Sequence, residues 1–108
     1  MRNLMEKLIK QINTGLKEID IENYLVKRVK SVGGVAYKFK SPAHTSVPDR
    51  LCVFPNGNIC FVECKAPGKK PTLAQHEEML RLLKLNQTVY VIDSKFAVDR
   101  MVSYHAPS

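Results

Sequence analysis

Apolar positions along this 108-residue chain recur at two different periods. Leu4, Met5, Leu8, Ile9 and Ile12 fall at helical spacing with lysines between them, which predicts a helix over Arg2–Ile12. Asn13-Thr14-Gly15 interrupts it. Ile21, Leu25, Val29 and Val32 predict a second helix from about Ile21 to Val32, with Asp20 as the candidate cap and Gly33-Gly34 as the stop. Val35–Phe39 then reads as a strand, and Ser41–Val47, aperiodic and containing Pro42 and His44, as a loop. Two further strands, Arg50–Phe54 and Asn58–Lys65, flank Pro55-Asn56-Gly57-Asn58, where Asn-Gly between apolar alternations is a strong hairpin signal. After the loop Ala66–Pro71, Thr72 and Gln75 have the spacing of a capping box that opens a helix reaching about Leu85. Thr88–Ile92 is a β-branched strand, and Ser94 caps a last helix to about Val102.

The order helix, helix, strand, strand, strand, helix, strand, helix predicts an α/β fold. Hairpins make the first three strands antiparallel, and the intervening helix allows the fourth to return parallel by a right-handed crossover. The expected architecture is one domain spanning residues 1–108, a small mixed sheet flanked by helices. A chain of this length supports a single modest core.

A net charge of +7 favours a polyanionic partner, because each neutralised phosphate releases a condensed counterion. Cys52, Cys60 and Cys64 are odd in number and sit inside apolar runs, so they read as small core residues rather than a disulfide frame or a zinc site. The charged first twelve residues do not have the pattern of a secretory signal, and no apolar run approaches the length of a membrane span. The expectation is a soluble, intracellular (cytoplasmic) protein with no membrane partner.

The chemistry concentrates between Pro48 and Lys65. Pro48-Asp49-Arg50 precedes the hairpin and Glu63-Cys64-Lys65 ends it. Glu63 and Lys65 lie two apart on a strand and share one face, while Val62 and Cys64 point to the other. Two carboxylates form the hard-oxygen set that Mg²⁺ prefers, and a lysine beside them serves a phosphate under attack. The plainer alternative is a pair of surface ion pairs, Asp49–Arg50 and Glu63–Lys65. Register decides between them. A two-residue Asn56-Gly57 turn pairs residues whose numbers sum to 113 and sets Asp49 opposite Cys64, on the wrong face. A three-residue loop with a glycine bulge changes the sum to 112 and sets Asp49 opposite Glu63. Turn chemistry permits both.

Glu22 lies on the apolar side of the second helix, either as a third acid near a metal or as a residue placed well in the helix dipole. Gln75 already has a structural role in the capping box. His44 and His76 could suggest metal-independent cleavage, but neither has a partner at ligand spacing, and both read as surface residues. Lys38, Lys40, Lys69 and Lys70 flank the proposed site and are candidate DNA phosphate contacts. Tyr37, Phe39 and Tyr90 are expected to pack rather than stack on bases.

Taken together, Ser46-Val-Pro-Asp49-Arg50, Glu63-Cys-Lys65 and Pro71-Thr72-x-x-Gln75 resemble the virus-type replication-repair nuclease (VRR-NUC) domain. That domain belongs to the restriction-endonuclease-like superfamily. The resemblance covers about residues 22–98. It implies a restriction-endonuclease-like core, with Asp49 and Glu63 as ligands of Mg²⁺ or Mn²⁺ and Lys65 as catalytic lysine. It also implies the Cys64 carbonyl as a further metal ligand and Glu22 and Gln75 as accessory catalytic residues. Ser46 departs from the glycine usual there. With no room for added DNA-binding domains, the chain resembles the stand-alone phage and bacterial members. The implied activity is phosphodiester hydrolysis leaving 5′-phosphate and 3′-hydroxyl ends.

The resulting expectation is a metal-dependent, structure-specific DNA endonuclease acting on branched DNA such as Holliday junctions. Flap- or nick-directed cleavage is the alternative within that class, and a catalytically silent basic nucleic-acid-binding module the alternative outside it. One site cuts one strand, so paired cuts call for a homodimer, with Arg2–Ile12 as a candidate interface.

Overall fold

A computed structural model describes residues 4–5 and 15–107. The predicted helix over Arg2–Ile12 lies outside the described residues except for Leu4 and Met5, which are helical and exposed. The remaining elements are α1 (Glu18–Ser31), β1 (Val35–Lys38), β2 (Arg50–Val53), β3 (Ile59–Cys64), α2 (Leu73–Lys84), β4 (Val89–Ile92) and α3 (Lys95–His105). They form a four-stranded sheet in the order β1-β2-β3-β4, antiparallel except for the parallel β3–β4 pair.

The first of these helices starts earlier than the apolar spacing predicts. Glu18 opens it, and Asp20 acts from inside the first turn, its carboxylate accepting the Lys17 N–H at 2.8 Å. At its far end Gly34 lies so close to β2 that a Cβ there would stand 2.6 Å from the Val53 carbonyl oxygen. Only glycine lets the chain turn from helix into strand at that distance. The last helix runs one turn beyond the predicted Val102. His105 is buried there, with its ring nitrogen Nε2 2.7 Å from the Tyr90 hydroxyl. A long-range contact therefore sets that end, not local propensity.

One face of the sheet carries the core. Ile21, Leu25 and Val29 of α1 and Val98, Met101 and Val102 of α3 pack with Ala36, Cys52, Cys60, Val62, Cys64 and Ile92. All three cysteines are free and buried, as their apolar setting predicts. Tyr24 and Arg28 of α1 both donate to Asp99 of α3, at 2.7 and 2.9 Å, and tie the two helices together. The opposite face holds Glu63 and Lys65, and α2 lies over its β3–β4 end. Phe39 packs against Phe61 on this face, whereas Tyr37 stands exposed. Among the described residues no helix is long and apolar enough to cross a membrane.

Candidate active site

The hairpin adopts the pairing that sums to 112: Arg50 pairs with Val62, Leu51 with Phe61, Cys52 with Cys60 and Val53 with Ile59. The Gly57 N–H donates to the Phe54 carbonyl at 3.0 Å, and the Phe54 N–H donates to the Asn58 carbonyl at 2.9 Å. Gly57 between them has φ +86°, the left-handed conformation that closes a three-residue loop with a bulge. A Cβ on Gly57 would meet nothing within 4 Å, so the demand for glycine there is conformational rather than steric. The amides of Asn56 and Asn58 both donate to the His105 carbonyl, at 3.1 and 3.4 Å, and clamp the turn to the end of α3. Carried one step past the ladder, this pairing brings Asp49 alongside Glu63.

Asp49 follows buried Pro48, and its own carbonyl accepts the Phe39 N–H at 2.8 Å. Its Oδ2 accepts the Cys64 N–H at 2.9 Å, which fixes the carboxylate beside the Glu63–Lys65 segment. Glu63 is only 2% exposed. Its Oε2 accepts from Lys65 Nζ at 3.1 Å and from Gln75 Nε2 at 3.2 Å. Its Oε1 is buried without any hydrogen-bond partner. Burial foremost, then the negative charge of Asp49, pushes the Glu63 carboxyl up to about 7 against the opposing pull of Lys65. A buried carboxylate with one bare oxygen beside a second carboxylate is costly by itself, and a cation relieves that cost.

These donors fit a hard divalent ion: two carboxylates, with the Cys64 main chain between Glu63 and Lys65. Among the described residues no group of three or more His, Cys, Asp or Glu side chains could hold a metal. Any ion here would therefore rest on two carboxylates and oxygen from the main chain or water.

Gln75 combines both of its readings. Its Oε1 accepts the Thr72 N–H at 2.9 Å and its N–H donates to Thr72 Oγ1 at 3.2 Å, completing the capping box that starts α2. The same side chain's Nε2 then reaches Glu63. The cap therefore aims the donor at the site.

Glu22 is held between two cations. It accepts from Lys38 Nζ at 2.8 Å and from Arg50 Nε at 3.0 Å, and none of its hydrogen bonds goes to Asp49, Glu63 or Lys65. It is the fifth residue of α1, which weakens the helix-dipole reading. Burial would raise its pKa, but the Lys38 hydrogen bond and the charges of Arg50 and Lys38 outweigh that and hold it below the ordinary value. Arg50, adjacent to Asp49, thus points away from the carboxylate pair.

Basic side chains flank the site on two sides. Lys38 and Lys40 line a recess of about 370 Å³ that also includes Thr45, Val47 and Asp49. Exposed Lys69 and Lys70 stand at the mouth of a groove of about 960 Å³ between α2 and β4, which His76 also lines. His44 is half exposed, and its Nδ1 lies 3.0 Å from Glu78 Oε1, joining the β1–β2 loop to α2.

No protein-family model matches the chain. It is 54% identical over 80 residues to "Putative nuclease p44" of Acyrthosiphon pisum secondary endosymbiont phage 1, covering 74% of this chain and 86% of that protein. A solved structure described as a VRR_NUC domain is similar with a TM-score of 0.76 and 30% identity, over 84% of this chain and 99% of that one. The mixed sheet and these two likenesses agree: this chain belongs to the VRR_NUC nuclease-domain family.

Proposed function

We propose that this chain is a metal-dependent, structure-specific DNA endonuclease that acts on branched DNA such as Holliday junctions. The observation that carries the reading is buried Glu63, its Oε1 unpartnered, beside Asp49 and Lys65. Asp49, Glu63 and the Cys64 carbonyl would hold a Mg²⁺ or Mn²⁺ ion, whose chemistry is to polarise a phosphate oxygen and make a water more acidic. Lys65 offers its ammonium to the charge that develops on the phosphate in the transition state. Gln75 holds Glu63 in a fixed orientation, and Lys40, Lys69 and Lys70 supply backbone contacts that position the duplex. Lys38 divides its charge between this surface and Glu22. The Glu22–Arg50–Lys38 cluster ties α1 to the ends of β1 and β2, from which Asp49 emerges, so Glu22 acts as a positioning residue. Paired cuts on a two-fold junction require a homodimer.

The test is cleavage of labelled junction, flap, nicked and linear DNA with Mg²⁺, with Mn²⁺ and with EDTA. Junction cleavage that EDTA stops supports the proposal. Preference for flaps or nicks moves the substrate within the enzyme class. Tight binding with no cleavage in any metal overturns it in favour of a basic binding module.

A further inference from the structure

The open face of the sheet carries more than the Asp49–Glu63 pair. Ala36 of β1 points into the core, so Tyr37, next in the strand, faces the side that holds Glu63 and Lys65. Strand pairing sets Tyr37, Leu51 and Phe61 in one row across β1, β2 and β3, and Val35, Val53 and Ile59 in the next. Val35, Tyr37 and Ile59 are exposed, and the other three are half-buried. Apolar side chains thus form a continuous surface beside the site. A contiguous exposed patch of this kind marks a place of binding, whereas single exposed apolar residues are ordinary.

Tyr37 stands apart from the other tyrosines. Tyr24 donates to Asp99, and Tyr90 and Tyr104 lie edge-on to His105. Tyr37 is 56% exposed, and its ring has no aromatic partner among the described residues. Phe39, next on the same face, is occupied by Phe61, with ring centroids 5.5 Å apart. Phe39 also stands across the ladder from Asp49, whose carbonyl accepts its N–H. Tyr37 lies one row back along β1, which puts it about 10 Å from the carboxylate pair. The local sequence Tyr37-Lys38-Phe39-Lys40 alternates aromatic and basic residues. Its exposed Lys40 lines the same recess as Asp49.

We propose that Tyr37 stacks an unpaired base of single-stranded DNA, with the apolar rows beside it as the platform for its neighbours. Duplex DNA turns its sugar–phosphate edges outward, and an apolar face desolvates those charges at a loss. An unpaired strand instead offers apolar base faces while its phosphates stay free for cations. That suits an exposed aromatic ring near Lys40 and Lys65 on a chain of net charge +7. Every base has a π-face, so such a surface registers whether bases are paired and not which bases they are. A base freed at a branch point would be gripped about 10 Å from the phosphate under attack, which favours branches with unpaired nucleotides over fully paired ones. This last consequence rests on the nuclease reading; the stacking itself does not.

The test exploits the absence of tryptophan from the chain. Tyr37→Trp puts a lone tryptophan at an exposed strand position that accepts aromatic residues readily. The full chain carrying it is titrated, without metal, with single-stranded oligothymidylate, a blunt duplex and an abasic backbone of equal length. The expected result is fluorescence quenching by the oligothymidylate and not by the other two. Anisotropy of labelled oligothymidylate should show affinity at least about fivefold weaker in Tyr37→Ala and changed less than about twofold in Tyr37→Phe, because the ring face makes the contact. Equal quenching by the duplex or the abasic backbone, or unchanged affinity in Tyr37→Ala, overturns the inference. Emission that shifts to the blue with protein concentration alone gives the face to a protein contact and overturns it as well. No step requires cleavage, so stacking by a chain that cuts no DNA in any metal sinks only the nuclease reading. Cleavage without quenching sinks only the stacking.

Discussion

Asp49 is tied through its Oδ2 to the backbone N–H of Cys64 at 2.9 Å, the residue between Glu63 and Lys65. The two motifs are therefore joined by a hydrogen bond as well as by strand pairing. This bond holds one carboxylate in place while leaving its second oxygen free of that constraint.

Glu63→Gln separates cost from use. The substitution removes a charge that is buried with one bare oxygen, so the metal-free variant should melt higher than wild type. Wild type should gain stability when Mn²⁺ is added, and the variant should not. Cleavage should fall at least about a hundredfold in Glu63→Gln, Asp49→Ala and Lys65→Ala, all still folded. Melting curves with and without Mn²⁺ read the first effect and junction cleavage the second. Full activity in any of the three removes that residue from the mechanism.

Gln75 can be split into its two roles. Gln75→Ala loses both the cap and the Glu63 contact, costing about 1 kcal/mol of stability along with activity. Gln75→Glu keeps an oxygen for the Thr72 N–H but replaces the donor facing Glu63 with a second negative charge. The expected outcome is a stable, poorly active protein. A fully active Gln75→Glu would make the residue a cap and nothing more.

Stability should fall in acid through Glu22. Its folded pKa lies below the ordinary value of 4.5, so its contribution is complete above that value and is lost as pH falls through the folded pKa. Glu22→Ala should remove that part of the acid dependence. It should also cost about 2 kcal/mol at neutral pH, because Arg50 and Lys38 lose their shared acceptor. Denaturant titrations at pH 7 and along a series of pH values descending below 4.5 measure both quantities. Equal losses for wild type and variant on acidification would assign the sensitivity to another carboxylate, with Asp99, also held low by Tyr24 and Arg28, the first to examine.

Junction affinity should fall with salt at about 0.9 log units per log unit for each phosphate contact, so replacing Lys69 and Lys70 with Gln should reduce the slope by about 1.8. Filter binding across a salt series in the absence of metal gives the slope directly. An unchanged slope returns both lysines to plain solvent exposure.

Much of this arrangement was legible in the sequence because the signals were local. The Asn-Gly turn, the Thr72–Gln75 box and the four strands appear where the spacing puts them. What stayed illegible depends on contacts far apart in the chain. The 112 and 113 pairings were equally open because the turn's own residues allow both. The observed turn is also clamped by Asn56 and Asn58 to His105, beyond the predicted end of the last helix. Glu22 could not be assigned for the same reason. Its partners sit 16 and 28 residues away, and only the β1–β2 pairing of Lys38 with Arg50 brings them together.

The Gly57 bulge constrains what this gene can tolerate. An exposed hairpin tip is ordinarily where chains gain and lose residues freely. Here, an added or deleted residue that shifts the pairing instead of the loop length would rotate every side chain on one arm to the opposite face, moving Glu63 and Lys65 into the apolar interior and Cys64 out of it. The length changes this tip can accept are therefore those confined to the loop, or added equally to both arms, which keep Asp49 and Glu63 on the same side.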